Sequence, residues 1–188
     1  MNRILRNVKI GIYMLIEKLL RWCISPYFRS TLLRFLGARI GKNVRIYEAR
    51  IINLTNGFRN LAIEDDVHIG PGTTIDLTGK VIIKQKSTLS PQVLILTHSD
   101  AGEDHKSEIC AIYPRKVGDV VIGRSVWIGA GSIIQAGVKI GDRTIIGLGS
   151  VVTKNILCDS LAYGVPARVK RKILFLREEL SCVKNQPS

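Results

Sequence analysis

The sequence predicts a mainly β chain wound into a parallel β-helix of six-residue units, and three observations carry that prediction. The first is an aliphatic residue at every sixth position from Ile122 through Ile128, Ile134, Ile140 and Ile146 to Val152, without a break in register. Each six-residue unit then forms one flat face of a coil, and its leading aliphatic points inward to stack on the coils above and below. The second is what surrounds those aliphatics. Small residues sit at the fifth position of each unit (Val126, Ser132, Val138, Thr144, Ser150), and Gly123, Gly129, Gly141 and Gly147 follow the aliphatic, leaving room at tight corners. The third is a shorter upstream array in which Ile63, Ile69 and Ile75 open three units and, after a two-residue slip, Ile83, Leu89 and Ile95 open three more. A period of six is neither the 3.6 of a helix nor the simple alternation of a half-buried sandwich strand.

Taken in order, the elements begin with a basic amphipathic segment. Over residues 3 to 24, Ile4, Leu5, Val8, Ile12, Leu15, Ile16 and Leu19 fall on one helical face, among Arg3, Arg6, Lys9, Lys18 and Arg21. Residues 1 to 45 carry ten Lys or Arg against the single acid Glu17, so much of the net charge of +13 lies here. The longest uncharged stretch, Ile10 to Ile16, is far short of the roughly 20 apolar residues that span a bilayer. No small-residue cleavage site follows it, which disfavours a secretory signal. Two readings stay open: a helix lying on an anionic membrane surface through residues 1–36, or one that packs on the coil or on a neighbouring subunit. A nucleic-acid partner is not expected, since the basic residues alternate with aliphatics and no recognition motif is present.

A first coil unit opens at Ile40–Gly41, and residues 39–169 form the β-helix domain. Between the two arrays, residues 98–120 lose the period and become polar, which reads as a loop thrown out of the coil. Residues 170–188 read as a short C-terminal helix and tail, with Leu174, Leu176 and Leu180 on one side. Four widely spaced cysteines (Cys23, Cys110, Cys158, Cys182) form no C-x-x-C pair and suggest free thiols in a reducing compartment, so a cytoplasmic location is expected.

The ordered series Val126-Trp127-Ile128-Gly129-Ala130-Gly131, Ala136-Gly137-Val138-Lys139-Ile140-Gly141, Gly149-Ser150-Val151-Val152-Thr153-Lys154 and Gly164-Val165-Pro166-Ala167-Arg168 resembles the closing half of the hexapeptide-repeat O-acetyltransferases, the galactoside, maltose and exopolysaccharide enzymes among them. The resemblance spans roughly residues 40 to 172. It implies a left-handed parallel β-helix assembled as a homotrimer, with acetyl-CoA as co-substrate in the groove between neighbouring coils and no resident metal.

It also implies a chemistry. Acetyl transfer to a sugar hydroxyl needs a base for the hydroxyl proton and a donor for the tetrahedral oxyanion. Family members carry a histidine where the first array ends and the loop begins; here that residue is His98, in Leu96-Thr97-His98-Ser99-Asp100. A histidine side chain, with its usual pKa of about 6.5, offers a neutral imidazole near neutrality. His105, deeper in the loop, is the reserve candidate, and His68 is read as outward-facing. Some relatives place a serine after the Trp-Ile-Gly; this chain has Ala130, leaving its backbone N–H as the oxyanion candidate. Gln135-Ala136-Gly137 stands where relatives often have a proline before the glycine.

Gly131, Gly149, Ser150, Thr153, Lys154 and Arg168 match coenzyme-contacting positions, with Arg171 and Lys172 as further phosphate candidates that equally read as a solvated helix start. Asp76, in the phase slip, and Asp100 are acceptor candidates that can hydrogen-bond a sugar, orient His98 or simply serve turns. The expected acceptor is a sugar or lipid-linked glycan precursor, the basic helix holding the enzyme on the inner face of the cell membrane. The rivals are an N-acyltransferase of nucleotide-linked amino sugars, a non-catalytic β-helix scaffold, and a γ-type carbonic anhydrase-like hydrase. The spacing of His68, His98 and His105 fits the last poorly, because zinc needs three ligands to converge.

Overall fold

The computed structural model describes residues 3–102 and 108–174. The period-six units form three parallel sheets that wind as a β-solenoid of about five turns. The first sheet stacks Arg39–Ile40, Leu61–Ile63, Val81–Ile83, Val120–Ile122 and Lys139–Ile140. The second stacks Arg45–Ile46, His68–Ile69, Thr88–Leu89, Trp127–Ile128, Ile145–Ile146 and Ser160–Tyr163, and the third Ala49–Ile52, Thr73–Asp76, Leu94–Ile95, Ile133–Ile134 and Val151–Val152. Register is kept across the extruded loop, since Ile63 pairs with Ile83, Ile83 with Ile122 and Ile122 with Ile140.

The stacked aliphatics are the core. Ile69, Ile75, Leu89, Ile95, Ile128, Ile134, Ile146 and Val152 are all buried, and the small corner residues Val126, Ser132, Val138, Thr144 and Ser150 are buried between them. Their hydroxyls stay satisfied inside: Ser132 Oγ donates to the Gly147 carbonyl at 3.1 Å and Thr144 Oγ1 to the Leu157 carbonyl at 3.0 Å. Apolar-in, polar-out alternation over two- to four-residue strands therefore leaves each strand dependent on its neighbours, which is why only the stack is stable.

Two helices close the N-terminal end. α1 (Arg3–Arg21) lies against the third sheet through Tyr13, Ile16, Glu17 and Leu20. Tyr13 meets Phe58 edge-on with ring centroids 5.9 Å apart, and the buried Glu17 accepts a hydrogen bond from the Ile51 N–H at 3.1 Å. α2 (Pro26–Phe35) starts with Pro26 behind the Ser25 cap, whose hydroxyl accepts from the Phe28 N–H at 3.3 Å. It ends where Gly37 takes φ +100° and the Gly37 and Ala38 N–H groups bond back to the Arg34 and Leu33 carbonyls. The buried Arg29 donates to the carbonyls of Leu20, Cys23 and Ile46, tying both helices to the first coil.

The packing alternative for α1 is thus realised, yet only on one of its faces. Ile4, Leu5, Val8, Ile12, Leu15 and Leu19, on another, are each more than half exposed. Among the described residues no helix is long and apolar enough to cross a membrane.

The loop after the third coil leaves as an antiparallel ribbon, His98–Ser99 paired with Lys116–Val117, and carries a short helix, α3 (Glu108–Ile112). At the other end the chain departs from expectation. Lys170-Arg171-Lys172 does not start a helix but belongs to the strand Arg168–Lys172, which folds back antiparallel on Ser160–Tyr163. The last parallel strand would otherwise present an unpaired edge, and the returning strand covers it with charged, exposed residues. That tertiary demand outweighs the local helical pattern. The remainder of the expected C-terminal helix and Cys182 lie outside the described residues; Cys23, Cys110 and Cys158 are free thiols.

Candidate active site

The two-residue slip between Ile75 and Ile83 widens one corner of the second coil, and the acid it carries becomes the centre of a buried polar cluster. Asp76 is fully buried. Its Oδ2 accepts hydrogen bonds from His98 Nδ1 at 2.6 Å, the Thr97 N–H at 2.8 Å and the Thr97 hydroxyl at 2.7 Å. Its Oδ1 accepts from Asn53 Nδ2 at 2.9 Å, the Thr78 N–H at 3.0 Å and the Thr78 hydroxyl at 2.8 Å. Burial by itself raises a carboxyl pKa, but these hydrogen bonds, His98's first, followed by those of Asn53, Thr78 and Thr97, outweigh it and hold Asp76 well below the usual carboxylate range. The group is therefore an anion with all its acceptor capacity used.

Three successive coils build this arrangement, Asn53 at the corner of the first, Asp76 of the second and His98 of the third, all on the edge between the third sheet and the first. The parallel stack places like corners above one another, so residues 22 and 23 apart in sequence meet side by side. His98 keeps 24% of its side chain exposed. With Nδ1 donating to the carboxylate, Nε2 is left with its lone pair, the tautomer being the one this hydrogen-bond pattern selects.

Asp76 was an open choice between acceptor contact and orienting group; its burial and saturation remove it from contact with a sugar. Asp100 is exposed and accepts from the Gly102 N–H at 2.8 Å, the geometry of a turn. His68 projects from the second sheet beside Tyr47, ring centroids 5.1 Å apart, on a different face from His98, so these two histidines do not converge within one chain. Burial first, then the nearby Arg45 charge, lowers its pKa. His105 lies outside the described residues.

The coenzyme candidates separate into groups. Thr153 and Lys154 lie on the His98 edge, two coils further along, a rise of about 10 Å at the 4.8 Å strand spacing. Lys154 and Arg168 share a cleft of 280 Å³ with Asn155, Ile156, Ala167 and Val169. Ala130, Gly131 and Gly149 occupy the other edge of the third sheet, where the Gly149 N–H bonds to the Ala130 carbonyl at 2.8 Å. Beside them a groove of 350 Å³ runs between Trp127, Pro91, Gly129, Ala130, Gly147 and Leu148. Its walls are apolar and its floor is glycine, with Trp127 Nε1 donating to Ser90 Oγ at 3.0 Å. The Gly131 N–H is taken by the Pro91 carbonyl, while among the described residues no acceptor meets the Ala130 N–H.

The Ser150 side chain, at the small inward fifth position of its repeat, is buried in the coil and donates to the Gly147 carbonyl, which leaves its backbone as the part open to the coenzyme arm. Arg171 stands on the exposed returning strand, two strands along the second sheet from Ile145 at the groove's edge. Within one chain a whole sheet face, roughly 15 Å of extended backbone, separates His98 from Ala130. Sequence reasoning passed over Asn53, Thr78 and Thr97, whose only signal was the slip itself, a polar Asp-x-Thr inserted where the period should continue.

Residues 119–154 match the family model for bacterial transferase hexapeptide repeats (six repeats). A galactoside O-acetyltransferase of Escherichia coli (strain K12) is 33% identical over 149 residues, covering 77% of this chain and 68% of the relative. A protein of the same strain assigned to colanic acid biosynthesis as an acetyltransferase is 31% identical over 156 residues, covering 83% and 78%. Among solved structures, a galactoside acetyltransferase in complex with coenzyme A aligns with a TM-score of 0.65 at 25% identity, over 87% of this chain and 82% of that one.

Proposed function

The chain belongs to the hexapeptide-repeat acyltransferases, and from that premise we propose that it transfers an acetyl group from acetyl-CoA to a sugar hydroxyl of a glycan precursor, with His98 as general base. The observation that carries the reading is the 2.6 Å contact between His98 Nδ1 and the buried Asp76 carboxylate. It orients the ring and leaves Nε2 to receive the acceptor's proton as oxygen attacks the thioester carbon. The carbon–sulfur bond then breaks, and the imidazolium returns its proton to the departing thiolate. Asp76, already an anion, stabilises the imidazolium while it exists.

The Ala130 N–H supplies the oxyanion donor. The apolar, glycine-floored groove beside it suits a pantetheine arm, and the cations of Lys154 and Arg168 suit the coenzyme's phosphates. Because His98 and the Ala130 edge are separated in one chain, the working site combines the His98 edge of one subunit with the Ala130 edge of its neighbour in a homotrimer. Exposed Trp127, Leu148 and Val165 on that second edge supply apolar contact surface.

The sugar acceptor is supported by the galactoside and colanic acid relatives. A lipid-linked form of it agrees with the apolar stripe of α1, whose neighbours Lys18 and Trp22 are also exposed and which suits an anionic bilayer on the cytoplasmic side.

Subunit mixing tests the shared site. Trimers of His98→Ala and of Ala130→Trp, a change that fills the groove from an exposed corner, are each inactive alone. After mixing and exchange they regain a fraction of wild-type acetyl transfer, read as acetylated sugar by mass spectrometry. Absence of any recovery, with exchange shown by a tagged subunit, would place both residues in one subunit's site and overturn the arrangement.

A further inference from the structure

A second groove runs along the opposite side of α1 from its contact with α2. It has a volume of 430 Å³ and lies between the helix, at Ile10, Met14, Lys18 and Arg21, and the outer strand of the first coil, at Arg50 and Ile52. Its far end is Asn53, the residue whose amide donates to Asp76 and so adjoins the His98 cluster. The groove is electropositive. Lys18, Arg21 and Arg50 face one acid, Glu17, which is itself buried and occupied by the Ile51 N–H.

Arg21 is held there under constraint. Its Nε approaches Glu17 Oε1 at 3.4 Å, and among the described residues that buried nitrogen has no hydrogen-bond partner. With its Nε turned to Glu17 and its side chain one-third exposed, Arg21 contributes a cation to the groove. Two guanidinium forks and an ammonium converging on one cleft match the oxygens of a phosphate or diphosphate.

The groove also points at the catalytic corner. Asn53 and His98 are two coils apart on one edge, about 10 Å along the solenoid axis. Adding about 10 Å of strand from Asn53 back to Arg50, the reach suits a sugar ring with the diphosphate on its anomeric oxygen, the diphosphate in the groove and a ring hydroxyl at His98 Nε2.

We propose that the groove between α1 and the first coil, walled by Lys18, Arg21 and Arg50 and ending at Asn53, binds the diphosphate of a carrier-linked sugar and sets that sugar's hydroxyl before His98. This rests on the acetyl-transfer reading and adds to it the chemical class of the acceptor. Arg21, tied to Glu17 and the helix seat, is left in place in the test; Lys18 and Arg50 are both exposed and outside the core.

The experiment compares the wild type with Lys18→Gln/Arg50→Gln in the full chain. Titration calorimetry with inorganic pyrophosphate reads the anion site without any turnover. Initial rates then compare one sugar in three forms: free, linked to a nucleoside diphosphate, and linked to a short polyprenyl diphosphate. The expected result is pyrophosphate binding that the double substitution weakens about a hundredfold, a tenfold loss for each charge-assisted contact. The kcat/KM ratio of diphosphate-linked to free sugar falls by a similar factor, and the better of the two linked forms names the carrier.

Pyrophosphate binding lost in the variant, with no acetyl transfer to any acceptor, would support the anion site while refuting the transferase reading. No pyrophosphate binding to the wild type, or a double variant whose binding and acceptor ratio match the wild type, overturns the proposal.

Discussion

Replacing Asp76 with asparagine changes one oxygen into an amide nitrogen at the centre of the cluster, and its consequences follow from the six hydrogen bonds described above. An asparagine side chain has one acceptor oxygen where the carboxylate has two. If its oxygen keeps the Asn53 and Thr78 donors, its NH2 faces the Thr97 N–H and His98 Nδ1. The Thr97 hydroxyl can rotate to accept; the Thr97 N–H cannot, and an unsatisfied buried donor costs about 1–3 kcal/mol. His98 can meet the amide only by presenting a bare Nδ1, which moves its proton to Nε2 and removes the base from the acceptor side. The expected loss in kcat is about 10²–10⁴, the whole contribution of general-base catalysis, with a modest fall in stability.

Stability against pH gives a second reading of the same substitution. Because the folded pKa of Asp76 is depressed, its contribution is complete above the ordinary carboxylate range and is lost as pH falls through the lower folded value, so the variant should lose less stability than the wild type on acidification. The assay is acetyl-CoA-dependent thiol release at saturating acceptor, with urea unfolding at neutral pH and near pH 3 beside it. An Asp76→Asn enzyme within threefold of wild-type kcat, folded and with unchanged acid response, would refute the role given to the cluster.

Other outcomes follow from the same structure. Ile128, buried between Leu89 and Ile146, should cost about 2–5 kcal/mol when replaced by alanine, read as a lower urea midpoint at unchanged slope. Ile12→Glu/Leu15→Glu, in the exposed stripe of α1 and clear of the core, should lower binding to vesicles of anionic lipid at least tenfold and leave the thermal midpoint unchanged; equal binding by both proteins would remove the membrane from the account.

The coil was legible because its signal is local and repeated. Any six-residue window from Ile122 to Val152 states the inward position, and burial followed it residue by residue, from Ile122 to the serines at the corners. The same rule turns the Ser150 side chain inward. Family position placed it against the coenzyme, whereas the repeat's own fifth-position logic points its hydroxyl inward.

His98 was singled out because the family resemblance places a histidine at the end of the first array. Its support was not legible, because Asn53, Asp76 and His98 are brought together only by the stacking of three coils, and the register between coils depends on insertions at the corners that no single unit reveals. The terminal strand Arg168–Lys172 was hidden for a related reason. Its pairing answers the open edge left by Ser160–Tyr163, a tertiary condition absent from its own basic sequence. For α1, the sequence showed one apolar face, and the structure leaves most of it exposed while the helix seats on the coil through Tyr13, Ile16, Glu17 and Leu20.

The central claim is that His98 is the base of an acetyl transfer, and the most direct test is acetyl-CoA turnover by wild type and His98→Ala, followed by free-thiol release against free, nucleotide-linked and lipid-linked sugars. The account predicts release stimulated by an acceptor and a fall of at least about a hundredfold on substitution, with the oligomeric state and the thermal midpoint unchanged. Acceptor-stimulated release that survives His98→Ala would contradict it.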